Sequence, residues 1–512
     1  MQSLPFKSLM PTLPSSPSSP SLPLGPSPSQ PVASSLPTDN ANLLLIKAQE
    51  ALQSSNWPAA MELFGQAARI NPTSPGAHHN HALACHALGH HQSALISAQR
   101  ALQLSPTLWQ SSMVMGNALK GLGEPERADQ CFDRVLQISK GQGEALIAKA
   151  DLAMNIFGEP LKGMAYVSPL LKDPTHAADA TLTILMASLY DRDMDTLTLN
   201  NHIKAFSAKH MRLPQVRYPD KLMRAGVLEG KTRPRVALIS PLFNASPVYF
   251  MTIHGWRHVA KGSEIVIFNR GHKNDWATQE FRALASEWHD VQEMPARQLA
   301  KAIHDANIDV LYDLGGWMDT VGLKALSTKP AGQMFKWVGG QSVTTGLEVF
   351  DGWIGDPWQS PLELQHLYTE PLINIDQGYA TYTKPAYFPK LEQLPRVRRK
   401  EQVVFSNPAK LSRAFLAELA NKPGPKVFIH HQFRYARTRA RIEAALAGHK
   451  VEFITPSSHQ EALLELGQFE RMADTFPYSS GLTAREALAL GLKVDARVGE
   501  LFCERHCAPY CS

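Results

Sequence analysis

The sequence predicts a helical repeat solenoid followed by two doubly wound α/β domains facing each other across a cleft. Three observations carry that prediction. Small, aromatic and proline residues recur at a spacing of 34 between about 41 and 176. From about 233 onward, short apolar runs alternate with helical stretches. A proline-punctuated span, 383–396, divides those runs into two sets. A chain of 512 residues has room for two to four domains, and 44% hydrophobic residues can build their cores.

Composition sets further bounds. Lys and Arg number 51 against 46 Asp and Glu, a net charge of +5, so no nucleic-acid partner is expected. No stretch approaches the roughly 18 apolar residues of a membrane helix, so no membrane partner is expected either. Five Cys in a chain this long do not make a disulfide scaffold. Two of them, Cys85 and Cys131, lie in helical patterns, which fits a reducing, cytoplasmic location.

Residues 1–39 hold 10 Pro and 11 Ser and too little apolar surface to offset the entropy of ordering. They read as a disordered, partly polyproline-like tail. Lys7 is its one base and prolines interrupt each apolar run, so neither a secretory signal nor a transit peptide is expected.

The repeats follow, over 41–176. Pro72 and Pro106 share the 34-residue spacing with Ala60, Ala94 and Ala128. So do Ala48, Ala82, Gly116 and Ala150; Phe64, Ala98 and Phe132; and Gly89 with Gly123. This is the tetratricopeptide pattern: small residues let antiparallel helices touch, and a proline closes each unit. Units are expected at 41–74, 75–108 and 109–142, with a degraded fourth at 143–176 that keeps Ala150 and Pro174. Stacked repeats form a concave surface for a protein or peptide, or serve only as a scaffold or dimer contact. His78, His79, His81, His86, His90 and His91 crowd the second repeat. His86 and His90 could meet on one helix face, but a solvated or loosely packed set is the simpler expectation, and no metal is expected.

A helical connector, 177–232, is expected to hold helices near Leu182–Tyr190 and Asn200–His210. The first α/β half, 233–382, begins with strand Val236–Ser240. Glu264–Phe268 and Ile308–Leu314 follow, with helices over Trp276–Trp288 and Ala296–Ala306. The second half, 397–512, has strands at Val403–Phe405, Lys426–His430, Val451–Ile454 and Lys493-Val494. Helices at 411–421, 436–447, 459–469 and 483–490 separate them. Ligands in such sheets sit at the carboxyl ends of strands.

Gly481-Leu482-Thr483-Ala484-Arg485-Glu486 turns into a helix after Asp474–Tyr478. A Gly turn at a helix start is an anion site, since free N–H groups and the dipole favour phosphate. Thr483 and Glu486 are also spaced as a capping box. Arg434, Arg437, Arg439 and Arg441 read as a solvated helix face or as an anion-facing run. Cys503, Cys507 and Cys511 with His506 would share a face if the end were helical, but their spacing is not that of a usual metal site.

These stretches carry a resemblance. "DTFPYSSG" then "LTAREALALGLKV", from Asp474, resembles the nucleotide loop of the O-linked N-acetylglucosamine transferase (SPINDLY-like) family. Lys329-Pro330-Ala331, Trp337-Val338-Gly339 and Thr344-Thr345-Gly346 resemble its "RPAP…WLG…TTG" segment. Asp351–Pro357 is similar to "DYRIADP", Phe405–Lys410 to "FNNLAK", and Ile308–Gly316 to "IDILVDLNG". Their order, after tetratricopeptide repeats, matches the family. The resemblance implies a GT-B-like fold needing no metal or other cofactor. It implies inverting transfer of N-acetylglucosamine from its uridine diphosphate donor to Ser or Thr of proteins bound by the repeats. It places Lys410 on the donor phosphates, Gly481 and Thr483 in the phosphate loop, and Glu486 on the ribose hydroxyls. The chain also departs from the family. Ser246 stands where the family has a proposed basic His, Leu242 where it has Asp, and Phe250 where it has a second His. Gly481 replaces a His found in some members, and Leu482 and Ala484 replace loop threonines. His254 is the candidate substitute base, with His258 beside it. The alternative reading is a non-catalytic scaffold that keeps the fold and its repeats.

Overall fold

The computed structural model describes residues 36–510, except 55, 140–142, 215, 217, 219–224 and 231. Most of the expected tail lies outside the described residues, and its last four positions, 36–39, already belong to a helix. The described chain divides into two compact units, 36–156 with 165–180, and 157–164 with 181–510.

The first unit is built of helix pairs. They are α1 (Leu36–Gln53) and α2 (Trp57–Ile70), α3 (Pro75–Ala87) and α4 (His91–Leu104), and α5 (Trp109–Gly121) and α6 (Pro125–Ile138). The fourth repeat starts with α7 (Gly143–Asp151), which runs into a π-helical turn, Leu152–Ile156. The helix that follows, α8, is short, Pro160–Val167, and its residues are divided between the two units. The 34-residue spacing has a plain packing cause. Ala48, Ala60, Ala82, Ala94, Ala98 and Ala128 are all 0% exposed, and each lets a neighbouring helix approach. Gly116 faces Phe132 so closely that a Cβ would lie 2.5 Å from its ring. Gly89 and Gly123 follow α3 and α5 at φ 76° and 77°, the left-handed termination that favours glycine.

The histidines of the second repeat make separate contacts. His79 Nδ1 meets Ser111 Oγ at 3.0 Å and His81 Nδ1 meets Ser97 Oγ at 2.8 Å. His86 lies beside His91, with rings 5.5 Å apart, rather than beside His90, which caps α4. Burial pushes His86 down to about 4. Among the described residues, no group of three His, Cys, Asp or Glu could hold a metal ion.

The second unit opens with α9 (Ala177–Ser188), which it shares with the first, then α10 (Thr196–His210) and α11 (Ala225–Leu228). The connector is therefore packed at Asp191, Asn200 and Ser207. Arg413 donates to Asp191 at 2.9 and 3.1 Å, Asn200 Nδ2 to Leu367 O at 2.9 Å, and Ser207 Oγ to Thr345 O at 2.7 Å.

Its first sheet is fully parallel. The strands are β1 (Arg235–Ser240), β2 (Glu264–Asn269), β3 (Glu287–Asp290), β4 (Val310–Asp313), β5 (Gln333–Lys336), β6 (Gly352–Gly355) and β7 (Leu372–Asn374). Their order is β3-β2-β1-β4-β5-β6-β7. Helices α12 (Pro247–Val259), α13 (Trp276–Leu284), α14 (Ala296–Asp305) and α15 (Thr320–Leu326) cross over between strands. The second sheet, also parallel, has β8 (Arg399–Val404), β9 (Lys426–Ile429), β10 (Val451–Ile454), β11 (Phe469–Ala473) and β12 (Lys493–Asp495), in the order β10-β9-β8-β11-β12. Its helices are α16 (Arg413–Ala420), α17 (Ala436–Ala445), α18 (His459–Leu466) and α19 (Leu482–Ala489). Val403 and Val427 pack in the core on one face, and Val404 and Phe428 in the core on the other. Burial on both faces is why these strands read as unbroken apolar runs. In each sheet the strand order reverses once, at β1/β4 and at β8/β11, and these reversals are where such folds open a ligand crevice. The fold is thus a tetratricopeptide solenoid followed by two doubly wound domains.

Candidate functional site

The loop between β11 and α19 is closed by Asp474. Its buried carboxylate accepts the backbone N–H groups of Thr475 and Ser480, at 2.9 and 2.7 Å, and the Ser479 hydroxyl at 2.6 Å. Burial raises the Asp474 carboxyl above its usual range. Thr475 Oγ1 donates to Tyr478 O at 2.8 Å. The chain leaves the loop at Gly481, which is the N-cap of α19 and offers no side chain to it. The expected capping box of Thr483 and Glu486 is absent. The helix begins at Leu482, so Thr483 already lies inside its first turn. The loop thus presents a helix N-terminus without a side-chain cap, the geometry that accepts an anion.

Lys410 reaches this loop from the neighbouring strand. It ends a 3₁₀ turn, Pro408–Lys410, just after β8. Its Nζ donates to Ser479 O at 2.8 Å and lies 4.5 Å from the centre of the Tyr478 ring. Tyr478 stacks on Tyr190 at 4.8 Å, and its hydroxyl meets Ser342 Oγ of the first sheet domain at 2.6 Å. Burial lowers the Lys410 ammonium from its ordinary value, and the nearby Asp474 opposes that shift. The structure therefore brings Lys410, Gly481 and Thr483 to the β8/β11 reversal.

In the arginine run Arg434 is exposed, while Arg437, Arg439 and Arg441 are partly buried. Arg441 donates to Leu411 O at 3.1 Å and Pro408 O at 2.9 Å, holding the turn that carries Lys410. Arg437 pairs with Glu159, Arg439 donates to Phe433 O at 3.3 Å, and Arg434 to the Tyr435 hydroxyl at 2.7 Å. The chain end is not a continuous helix. Cys503 and Cys507 are buried in and beside a short 3₁₀ turn, where burial pushes both thiols well up. Cys503 N–H donates to Ser342 O at 2.9 Å and Cys507 N–H to Ser479 Oγ at 3.2 Å, so this segment ties the loop before α19 to the first sheet domain. Cys511 lies outside the described residues.

On the facing domain, Ser246 caps α12 after β1. It is 4% exposed and its hydroxyl donates to Leu242 O at 2.8 Å. Leu242 and Phe250 are buried beside it. This edge offers no base near neutral pH. His254 and His258 stand exposed further along α12, because eight residues carry His254 about two turns beyond the cap.

Glu486 is wholly buried, one turn into α19, and its Oε1 meets His459 Nε2 at 2.8 Å. His459 Nδ1 meets the Tyr387 hydroxyl at 2.9 Å. Sequence reasoning missed both partners. The signal that could have found His459 is an imidazole at the first position of a helix that follows a parallel strand. Tyr387 lies in the linker between sheets, which periodicity does not read.

No family model matches the chain. It is 25% identical over 154 residues to a probable UDP-N-acetylglucosamine–peptide N-acetylglucosaminyltransferase SEC of Arabidopsis thaliana, covering 29% of this chain and 16% of that protein. It is 28% identical over 98 residues to small glutamine-rich tetratricopeptide repeat-containing protein 2 of Mycosarcoma maydis, covering 19% of this chain and 28% of that protein. The matches thus span less than a third of either relative. Among solved structures, an O-GlcNAc transferase mutant of Thermobaculum terrenum superposes with a TM-score of 0.56 at 19% identity. That superposition covers 93% of this chain and 86% of that one. Repeats followed by two parallel-sheet domains, in this order and over nearly the whole length, give the chain the fold of the O-GlcNAc transferase family that its motifs resemble.

Proposed function

We propose that the chain binds a uridine diphosphate sugar at the β8/β11 reversal. It transfers N-acetylglucosamine to Ser or Thr hydroxyls of proteins held by its repeats, with inversion and without a metal. One observation carries this reading: Lys410 Nζ sits 2.8 Å from Ser479 O, on the loop that opens α19. A cation and an uncapped helix N-terminus meet there, where a diphosphate leaving group would gain charge. With donor bound, Lys410 would turn from that carbonyl to a phosphate oxygen. Glu486 keeps one oxygen without a partner, Oε2, to accept from a ribose hydroxyl. The name of the Arabidopsis relative supports the same donor, and a cytoplasmic location goes with this reading.

A second reading, a non-catalytic scaffold, is favoured by the apolar edge of α12, where Ser246, Leu242 and Phe250 are buried. Single-turnover transfer from UDP-N-acetylglucosamine to lysate protein separates the two. The enzyme reading expects labelled protein from the wild type and a large loss in Lys410→Ala. Donor binding without any labelled protein would establish the scaffold.

A further inference from the structure

His459 sits where the two domains meet. It opens α18 at the carboxyl end of β10, and its ring lies 5.4 Å from Phe250 of α12 on the opposite domain. The chain enters the linker here as well, since Thr383 N–H donates to Phe250 O at 2.7 Å and Arg485 Nη1 to Ala380 O, just before it, at 3.0 Å. Both sheets therefore bring the carboxyl-edge side of their folds to one place.

The three groups form a chain with fixed direction. Glu486 is 0% exposed, so its carboxylate depends on the partners the protein provides. In a neutral His459 ring, a carboxylate accepting at 2.8 Å requires the proton on Nε2. Nδ1 is then an acceptor, and the Tyr387 hydroxyl donates to it at 2.9 Å. Glu486 Oε2 and the Tyr382 hydroxyl are both buried without partners, so the pocket has unfilled polar capacity. Trp276 stands edge-on to Tyr387 at 6.3 Å. Tyr387 is partly exposed. Glu486 from α19, Asp275 at the start of α13 and Tyr382 just before the linker are titratable groups that act on this chain. Burial, with the charges of Glu486 and Asp275, pushes Tyr387 up to about 12, so the phenol holds its proton at rest.

We propose that Tyr387, His459 and Glu486 form a proton relay that receives the acceptor hydroxyl's proton during sugar transfer. The proposal rests on the donor-site reading above. The acceptor oxygen bonds to the anomeric carbon while the bond from that carbon to the diphosphate oxygen breaks. The electron pair of that bond leaves with the nucleoside diphosphate. The acceptor's proton passes to the Tyr387 oxygen as the phenolic proton moves to His459 Nδ1. The imidazolium so formed pairs with Glu486 and then releases its extra proton to water. Tyr387 is the catalytic residue, and His459 and Glu486 are positioning residues. The relay supplies from the linker and the second domain the base that the Ser246 edge of α12 lacks.

Water can replace the protein acceptor in the test. UDP-N-acetylglucosamine is supplied to the full chain, and UDP release is followed against pH, with UDP affinity and melting temperature measured alongside. Tyr387→Phe removes one oxygen and keeps the ring packing. Its UDP affinity and melting temperature are expected to match the wild type, while UDP release falls about 10²-fold, the low end for a lost general base. The acidic limb of its pH profile is expected to disappear. His459→Gln is expected to lose the same limb. UDP release by Tyr387→Phe at the wild-type rate would overturn the relay. A wild type that binds UDP and releases none from the sugar would overturn the relay and leave the donor site standing. A wild type that fails to bind UDP would overturn the donor site and the relay with it.

Discussion

Asp474 shows how much of this site is settled by single side chains. Its carboxylate ties three groups of its own loop, which frees Gly481 to open α19 without a cap. Lys410 and Glu486 were singled out in the sequence because each stands in a stretch that resembles a motif of the transferase family. His459 and Tyr387 were not, because their meaning depends on partners 27 and 72 residues away from His459. Ser246 also has a definite state: buried and bonded to Leu242 O. Ser246→His would force a ring into that space and leave it among Leu242 and Phe250. A loss of roughly 1–3 kcal/mol of stability is expected from overpacking, with no gain in sugar transfer; denaturant titration and the transfer assay check both. His506 gives a pH prediction. Burial first, then Lys410 and Arg485, hold its imidazole down to about 3. The folded state keeps it neutral, so its contribution is complete above the unfolded value near 6.5 and is lost as pH falls toward 3. Denaturant midpoints at pH 7 and pH 4.5 should therefore differ more in the wild type than in His506→Gln.

At the scale of elements, the helices were legible and the short strands were not. The repeat period located six helices because it records helix contact itself, through residues such as Ala82 and Gly116. Gly116→Val tests that account. Its Cβ alone would meet the Phe132 ring at 2.5 Å, so a loss of about 1–3 kcal/mol is expected. Phe132→Leu in the same background should recover part of it, read as a shift in melting temperature. Strands β3, β5, β6, β7 and β11 escaped because three to five residues show no reliable period. The end of the expected helix 459–469 is in fact the turn into β11, and the end of Trp276–Trp288 is the start of β3. The arginine run is hard to read for a different reason. Charge on a helix reads as solvated until a carbonyl such as Pro408 O is seen to face it.

For the whole molecule, the boundary of the second unit decides what can be cut away. That unit includes 157–164 and 181–232, which supply Glu159 to Arg437, Tyr190 to Tyr478 and Asp191 to Arg413. A fragment spanning residues 157–512 is expected to bind UDP as the full chain does. One spanning residues 233–512 loses those partners and is expected to bind it weakly or aggregate, as gel filtration with calorimetry would record. The central claim is that Lys410 and the loop opening α19 form a nucleoside diphosphate site. Calorimetry of UDP with the full chain and with Lys410→Ala tests it most directly. The account predicts binding by the wild type and a loss of about 1–3 kcal/mol in the variant, the scale of a charged hydrogen bond. Equal affinity in the two proteins, or no binding by either, would contradict it.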